Sequence, residues 1–264
     1  MNITTCKERM VLKSCSLKNI NYQIDPYIGC FHYCYYCYAL QYAKTNWKEK
    51  IIVYENIAEK LGDELKELPP QKIYLGHRTD PYQPCEKHLI QTRKVLDILL
   101  ERNFSVSILT KSDLVVRDKF LLKNMNNASV SVSVAFTDNT IRRLFEYNTV
   151  DTERRINALI KLKDQGIRTN ALICPVIPYV TDVIELINML ETCAGTIWIY
   201  GLSISNESDV YWQNIEPILN KYFPNTKGLI KHAIFNKNHN FWNILRCELE
   251  LIKKERKLDL RINL

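Results

Sequence analysis

No stretch of the chain approaches the ~18 consecutive apolar residues that a membrane-spanning helix needs, which argues against an integral membrane protein. The N-terminus, Met1 to Arg9, is polar and carries Cys6, Lys7, Glu8 and Arg9. It lacks the apolar core of a signal peptide, so a cytoplasmic location is expected. Glycine (7) and proline (9) are sparse, and no Gly-, Ser- or Pro-rich linker, low-complexity tract or patterned repeat interrupts the sequence. Charged residues make up an ordinary 25%, against extensive disorder. What is present is enough for a substantial core: 264 residues, 46% of them hydrophobic. At roughly 150 residues per domain this means one large domain or two small ones.

Cysteine, by contrast, is plentiful. Nine in one chain is an odd number, and a disulfide framework is disfavoured by the expected compartment and by the size of the core. Cys6, Cys15, Cys85, Cys174, Cys193 and Cys247 are scattered and read as small buried apolar residues; Cys174, before Pro175, reads as core packing. Cys30, Cys34 and Cys37 are clustered and require a chemical reason. Positive charge is also uneven. From Lys221 to Leu264 ten Lys or Arg stand against four Asp or Glu, which places +6 of the net +7 in 44 residues. Such a segment suits nucleic acid or another polyanion; equally, it suits the solvated face of an amphipathic helix, since Phe241-Trp242-Asn243-Ile244-Leu245 leads into Lys253-Lys254-Glu255-Arg256-Lys257.

Short β-like runs alternate with helical stretches. Strands are expected near 22–28, 72–76, 104–109, 129–136, 167–177 and 196–204, and helices over 87–102, 115–125, 152–165 and 182–193. The run Ser-Val-Ser-Val-Ser-Val-Ala-Phe from Ser129 alternates most clearly. About six β/α units imply a parallel sheet with right-handed crossovers, in either a doubly wound sheet or an incomplete barrel. Both gather active-site residues at the C-terminal strand ends. The cysteine cluster follows the first expected strand, Thr79-Asp80 the second, Lys111 the third and Thr137-Asp138 the fourth, so all would share one rim.

Cys30-x3-Cys34-x2-Cys37 puts three thiols within eight residues, short enough for one loop to wrap a compact object. Iron–sulfur clusters are held by such loops, and three ligands on a four-iron cluster leave one iron open. Structural zinc, with His32 as fourth ligand, is the alternative; it would normally draw on a second Cys pair, which is absent. No second cysteine cluster for an auxiliary iron–sulfur site follows downstream.

The segment Gly29-Cys30-Phe31-His32-Tyr33-Cys34-Tyr35-Tyr36-Cys37-Tyr38 resembles the signature of the radical S-adenosylmethionine (SAM) superfamily. The resemblance implies a [4Fe-4S] cluster on Cys30, Cys34 and Cys37, with SAM on the open iron. It further implies reductive cleavage of SAM to a 5′-deoxyadenosyl radical that removes hydrogen from a substrate. Over roughly residues 20–225, the blocks Asp25-Pro26-Tyr27-Ile28-Gly29-Cys30, Thr79-Asp80-Pro81-Tyr82-Gln83-Pro84 and Ile173-Cys174-Pro175-Val176-Ile177-Pro178 are similar to the spore photoproduct lyase-like branch. Some members of that branch are small proteins encoded by mobile elements. The implied fold is α/β, a partial (β/α)6 TIM-like barrel over residues 21–225, between an N-terminal extension (1–20) and a basic helical C-terminal extension (226–264).

Carried over by position, Thr79 and Asp80 match a pair near the SAM amino group, a placement in which a carboxylate can pair with cationic charge. Lys111 matches a lysine directed at the SAM carboxylate, Ser133 a polar residue near the ribose, and Tyr36 a residue close to SAM. Tyr38 matches a tyrosine of hydrogen-atom return, while Tyr33 and Tyr35 read as packing. The branch's hydrogen-donor cysteine falls at His77 here, and histidine is a poor donor; Cys85 could substitute only if its loop folds back. Asp138 and Glu146 read as ordinary surface acids, Asp138 with a weak claim to the SAM side. The expected substrate is a nucleic-acid base or nucleotide, with DNA contacted through the basic C-terminal segment and electrons from a flavodoxin or ferredoxin. The alternatives are radical modification of a protein or peptide partner, and a non-catalytic nucleic-acid-binding protein with an iron–sulfur or zinc site.

Overall fold

In the computed structural model, which describes residues 2–7, 10–43 and 45–264, the chain begins with β1 (Asn2–Cys6), β2 (Leu12–Ser14), β3 (Tyr22–Ile24) and β4 (Tyr27–Ile28). Positions 1, 8 and 9 of the expected N-terminal extension lie outside the described residues. After β5 (Lys50–Tyr54) and α1 (Ile57–Glu64), strands and helices alternate: β6 (Lys72–Leu75), α2 (Glu86–Leu89), α3 (Gln91–Glu101), β7 (Ser105–Thr110), α4 (Lys119–Asn124), β8 (Ser129–Val134), α5 (Asn139–Phe145), α6 (Thr152–Lys163), β9 (Arg168–Val176), α7 (Val183–Leu190) and β10 (Thr196–Gly201). The chain closes with α8 (Val210–Tyr222), α9 (Lys227–Phe235), α10 (Asn240–Arg256) and β11 (Leu260–Asn263).

The main sheet runs β11-β10-β9-β8-β7-β6-β3-β2, and β1-β5-β4 form a small second sheet. Within the main sheet every pairing from β3 to β11 is parallel, whereas β2 adds antiparallel to β3. Strands β3 and β6 to β10 are the six expected, and the sheet does not close on itself: this is the partial barrel. The expected strand over 22–28 is divided at Asp25-Pro26, because proline offers no N–H to a ladder. β3 pairs with β6, while β4 turns away to pair with β5. The expected helix over 87–102 is likewise divided at Ile90, which takes a left-handed φ of 50°. The Glu86 carboxylate then accepts the free N–H groups of Thr92 (2.9 Å) and Arg93 (3.3 Å) at the start of α3.

The two faces of the sheet differ. Outward residues Ile73, Leu75, Val106, Ile108, Val130, Val132, Ala171, Ile173 and Ile199 are completely buried under the helices. Inward residues are the intervening ones: Lys72 and Tyr74, Ser105 and Ser107, Asn170 and Leu172, Trp198 and Tyr200, all partly or fully exposed. In β8 the inward Ser129, Ser131 and Ser133 are buried as well, so the period-two pattern of the Ser129 strand separates an apolar buried face from a polar buried one.

The last residues are part of this architecture rather than an appendage. β11 lies parallel to β10, with Ile197 opposite Leu260 and Ile199 opposite Ile262. Trp242, Leu245, Leu249 and Ile252 of α10, together with Leu260, belong to the main core. The segment expected as a helical extension over 226–264 is helical in α9 and α10, and its apolar periodicity buries against the sheet. The helix keeps its cations on the open side, where Lys253 pairs with Glu250 (3.5 Å) and Arg256 with Glu191 (3.2 Å).

Candidate active site

The rim at the C-terminal strand ends encloses a cavity of about 340 Å³. Cys30, Cys34 and Cys37 line it from the loop after β4; His77, Thr79 and Asp80 from the loop after β6; Lys111 from the end of β7; Ser133 from β8; Cys174 from β9. Tyr36 and Tyr38 complete the wall. Of the side chains that sequence alone singles out, Thr137 and Asp138 do not line the cavity, and neither does Cys85: it packs in a small cluster with Tyr27, Ile51 and Val53, and burial pushes its thiol up to about 12. The loop does not fold back, so Cys85 is corrected from donor to buried thiol.

The cysteine loop is fixed from below. Gln83 accepts the Phe31 N–H (2.7 Å) and donates to the Gly29 carbonyl (3.0 Å). Gly29, at φ +96°, has Trp47, Ile51 and the Lys50 carbonyl 3.2–3.3 Å from where a Cβ would stand, so the turn favours glycine. His32 is buried, its Nδ1 2.8 Å from the Asn148 carbonyl and its Nε2 3.3 Å from Asp80. Lys48 lies over the rings of Tyr33 and Tyr35 at 4.5 and 4.6 Å, in keeping with packing roles for both.

Asp80 is the hub of the rim. Its carboxylate accepts from the Thr110 hydroxyl (2.7 Å), the Lys111 N–H (2.7 Å) and the Tyr82 N–H (2.8 Å), and its own N–H donates to Cys30 Sγ (3.4 Å). Burial alone would raise its carboxyl; His32, the Thr110 hydroxyl and the Lys111 amide together hold it below the ordinary range. The Thr79 hydroxyl donates to the Tyr27 carbonyl (3.0 Å), and the N–H groups of Arg78 and Thr79 both donate to Asp25 (2.9 and 3.1 Å). The Lys111 ammonium donates to Ser133 (2.5 Å) and lies 3.6 Å from Glu146.

Glu146 is the main residue that sequence reading misplaced. It is completely buried, ion-paired with the equally buried Arg155, and accepts hydrogen bonds from Tyr36 and Thr149. Burial would raise its carboxyl, yet Arg155 and Lys111 hold it far below the usual range. Asp138 does remain exposed, capping α5 through the Ile141 N–H (3.2 Å). Tyr36 is buried, whereas Tyr38 is 43% exposed and donates to the His77 carbonyl (2.7 Å). His77 turns Nδ1 to Gln23, and burial presses its imidazole below the ordinary value. Cys174, which reads as core packing, instead faces the cavity; strand periodicity, Leu172-Cys174 against Ala171-Ile173, was the available signal.

These residues fit an iron–sulfur centre, because three thiols on one cavity are the soft donors such a cluster takes. Among the described residues no three His, Cys, Asp or Glu side chains converge closely enough to hold one metal ion. The three thiols nonetheless face one largely apolar cavity, as a larger object with thiolate ligands requires. Burial raises all three thiols, so ligation must displace their protons.

The profile of the radical SAM superfamily matches residues 24–191. This chain belongs to the radical SAM superfamily. Radical SAM proteins use a [4Fe-4S] cluster and SAM, and this one is accordingly a radical SAM enzyme. An uncharacterized protein of Methanocaldococcus jannaschii is 31% identical over 225 residues, 82% of this chain and 85% of that one. Among solved structures, a spore photoproduct lyase mutant with bound AdoMet and dinucleoside spore photoproduct shares the fold (TM-score 0.58, 17% identity, 81% of this chain and 66% of that chain). So does Streptococcus suis SuiB bound to precursor peptide SuiA (TM-score 0.59, 12% identity, 91% of this chain and 47% of that chain). The radical SAM chain thus spans about two thirds of the lyase and about half of SuiB. Among the described residues no helix is long and apolar enough to cross a membrane.

Proposed function

We propose that this radical SAM enzyme removes hydrogen from a nucleic-acid base or nucleotide-like substrate, in the manner of the spore photoproduct lyase-like branch. The observation that carries the reading is the meeting of three thiols, Asp80, Lys111 and Ser133 around one cavity, in a fold shared with a lyase whose structure holds a dinucleoside photoproduct. When bound, the cluster and SAM supply the reducing electron and the hydrogen-abstracting radical. Cys30, Cys34 and Cys37 hold the cluster. Lys111 offers its ammonium to the SAM carboxylate, kept on the cavity side by Ser133. Thr79 and Asp80 act chiefly as positioning residues, since most of their hydrogen-bonding capacity is taken by the scaffold. Tyr36 walls the SAM side. Tyr38 and His77 stand at the mouth, Tyr38 as the residue of hydrogen return. The electron donor is a flavodoxin or ferredoxin.

The test is anaerobic reconstitution, then dithionite reduction with SAM and chromatography for 5′-deoxyadenosine, with and without intact or UV-irradiated DNA. We expect 5′-deoxyadenosine from the full chain, none from Cys30→Ala, Cys34→Ala or Cys37→Ala, and stimulation by a nucleic acid. No SAM cleavage by protein carrying a full cluster would overturn the catalytic assignment. Stimulation by a peptide and by no nucleic acid would overturn the substrate assignment.

A further inference from the structure

Strands β6 to β11 contain no Asp or Glu, yet their inward face carries Lys72 and Arg168. Neither cation has a carboxylate within 4 Å among the described residues. They are close enough to matter to one another: burial, and then the Arg168 guanidinium, press the Lys72 ammonium below its usual value. Two cations on a face without acidic residues raise its local positive potential, which favours an anion.

The same face offers flat apolar surface. Trp198 and Tyr200, two residues apart on β10, hold their rings parallel within 5° with centroids 6.3 Å apart, and Trp198 is 36% exposed. Beside them stand small polar groups. Ser131 is opposite Asn170 and Asn170 opposite Thr196; Ser133 is opposite Leu172 and Leu172 opposite Trp198. The aromatic end of this surface adjoins the active-site cavity, because Leu172, opposite Trp198, and Gly201, next to Tyr200, line the cavity, while Lys72 and Arg168 begin β6 and β9 at the far end of the strands.

We propose that the inward face of the open barrel is the binding track for a single-stranded nucleic-acid segment, with a base stacked on Trp198 and Tyr200 and phosphates at Lys72 and Arg168. Planar rings plus uncompensated cations are the features that hold single strands without base-specific readout. The inference rests on the nucleic-acid reading above and deepens it. It moves the contact surface from the basic C-terminal segment, where Lys253 and Arg256 already have acidic partners, to the face that leads into the reaction cavity.

The test uses the full chain, anaerobically reconstituted, and a fluorescein-labelled single-stranded DNA oligonucleotide followed by anisotropy over a salt series. Base–aromatic stacking is worth about 1–3 kcal/mol, so Trp198→Ala should weaken binding by about 5- to 150-fold, and Trp198→Phe should recover most of it. Arg168→Ala should lower the slope of log affinity against log salt by about one. A 5-iododeoxyuridine oligonucleotide should photo-crosslink to the β10 peptide. Iron content and thermal midpoint of each variant separate lost binding from lost folding. Salt-sensitive binding that survives both Trp198→Ala and Arg168→Ala but is lost in Lys253→Ala/Lys254→Ala would overturn the track and leave the nucleic-acid reading standing. No oligonucleotide binding by the wild-type holoenzyme would overturn both. An acidic peptide that binds and crosslinks at β10 where DNA does not would overturn the ligand class.

Discussion

A second carboxylate besides Asp80 ties the cysteine loop to the barrel. Glu146 touches Arg155 from α6, Tyr36 from the loop and Lys111 from β7, and its backbone bridges to Cys34. Nothing in Leu144-Phe145-Glu146-Tyr147 announces burial, and Arg154-Arg155 looks like a solvated pair. One helical step separates the two arginines: Arg154 reaches the surface acid Asp113 (2.8 Å), whereas Arg155 faces inward. The partnership arises only when the fold brings α5 and α6 over the loop, so it was invisible to local pattern. Removing one member of such a pair strands a buried charge, at about 3–5 kcal/mol. Glu146→Gln should therefore lose stability of that order at neutral pH in denaturant titrations. The sign of its pH dependence follows. A carboxyl held far below its unfolded value stabilises the fold above that value, near 4.5, and the contribution is lost as pH falls below it. Wild type should thus lose stability more steeply than Glu146→Gln below about pH 4.5. Parallel acid limbs would refute this account.

The elements that sequence made legible are those defined by their own residues. Strands β6 to β10 and helices α3, α6 and α7 announce themselves by periodicity, and the Cys30 loop by its spacing. Those that escaped depend on distant partners. β11 is four residues long and pairs with β10 some sixty residues earlier; β1 exists by virtue of β5. The junction after β6 belongs to this second kind. Gly76 follows the strand at φ +95°, and a Cβ there would stand 2.3 Å from the Leu109 carbonyl oxygen and 2.8 Å from Pro81. That approach keeps the Thr79-Asp80 loop against the end of β7, where Asp80 takes the Thr110 and Lys111 hydrogens. Gly76→Ala must strain the backbone or part the strands. It should destabilise by about 2–5 kcal/mol, lower the thermal midpoint, and reduce SAM affinity measured by calorimetry. Wild-type stability and affinity in this variant would show that the junction does not position the site.

At the scale of the whole molecule, the barrel divides its work between its faces. The outward face carries the core, packed beneath the helices and extended by Trp242, Leu245 and Leu249 of α10. The inward face is left to polar, aromatic and cationic residues that do not need to be dry. In a sheet, neighbouring residues point to opposite sides, so one strand can test the division. Ile173 and Leu172 are adjacent on β9, similar in size, and opposite in fate: Ile173 is completely buried, Leu172 partly open and on the cavity wall. Ile173→Ala should cost about 2–5 kcal/mol through the cavity it leaves in a close-packed layer. Leu172→Ala should cost less than about 1.5 kcal/mol, because water already reaches it. Equal losses in paired chemical unfolding curves would mean that the inward face is as much core as the outward one. The larger loss at Ile173 would show why radical chemistry can occupy the lumen without weakening the fold: stability is held on the other side of the same strands.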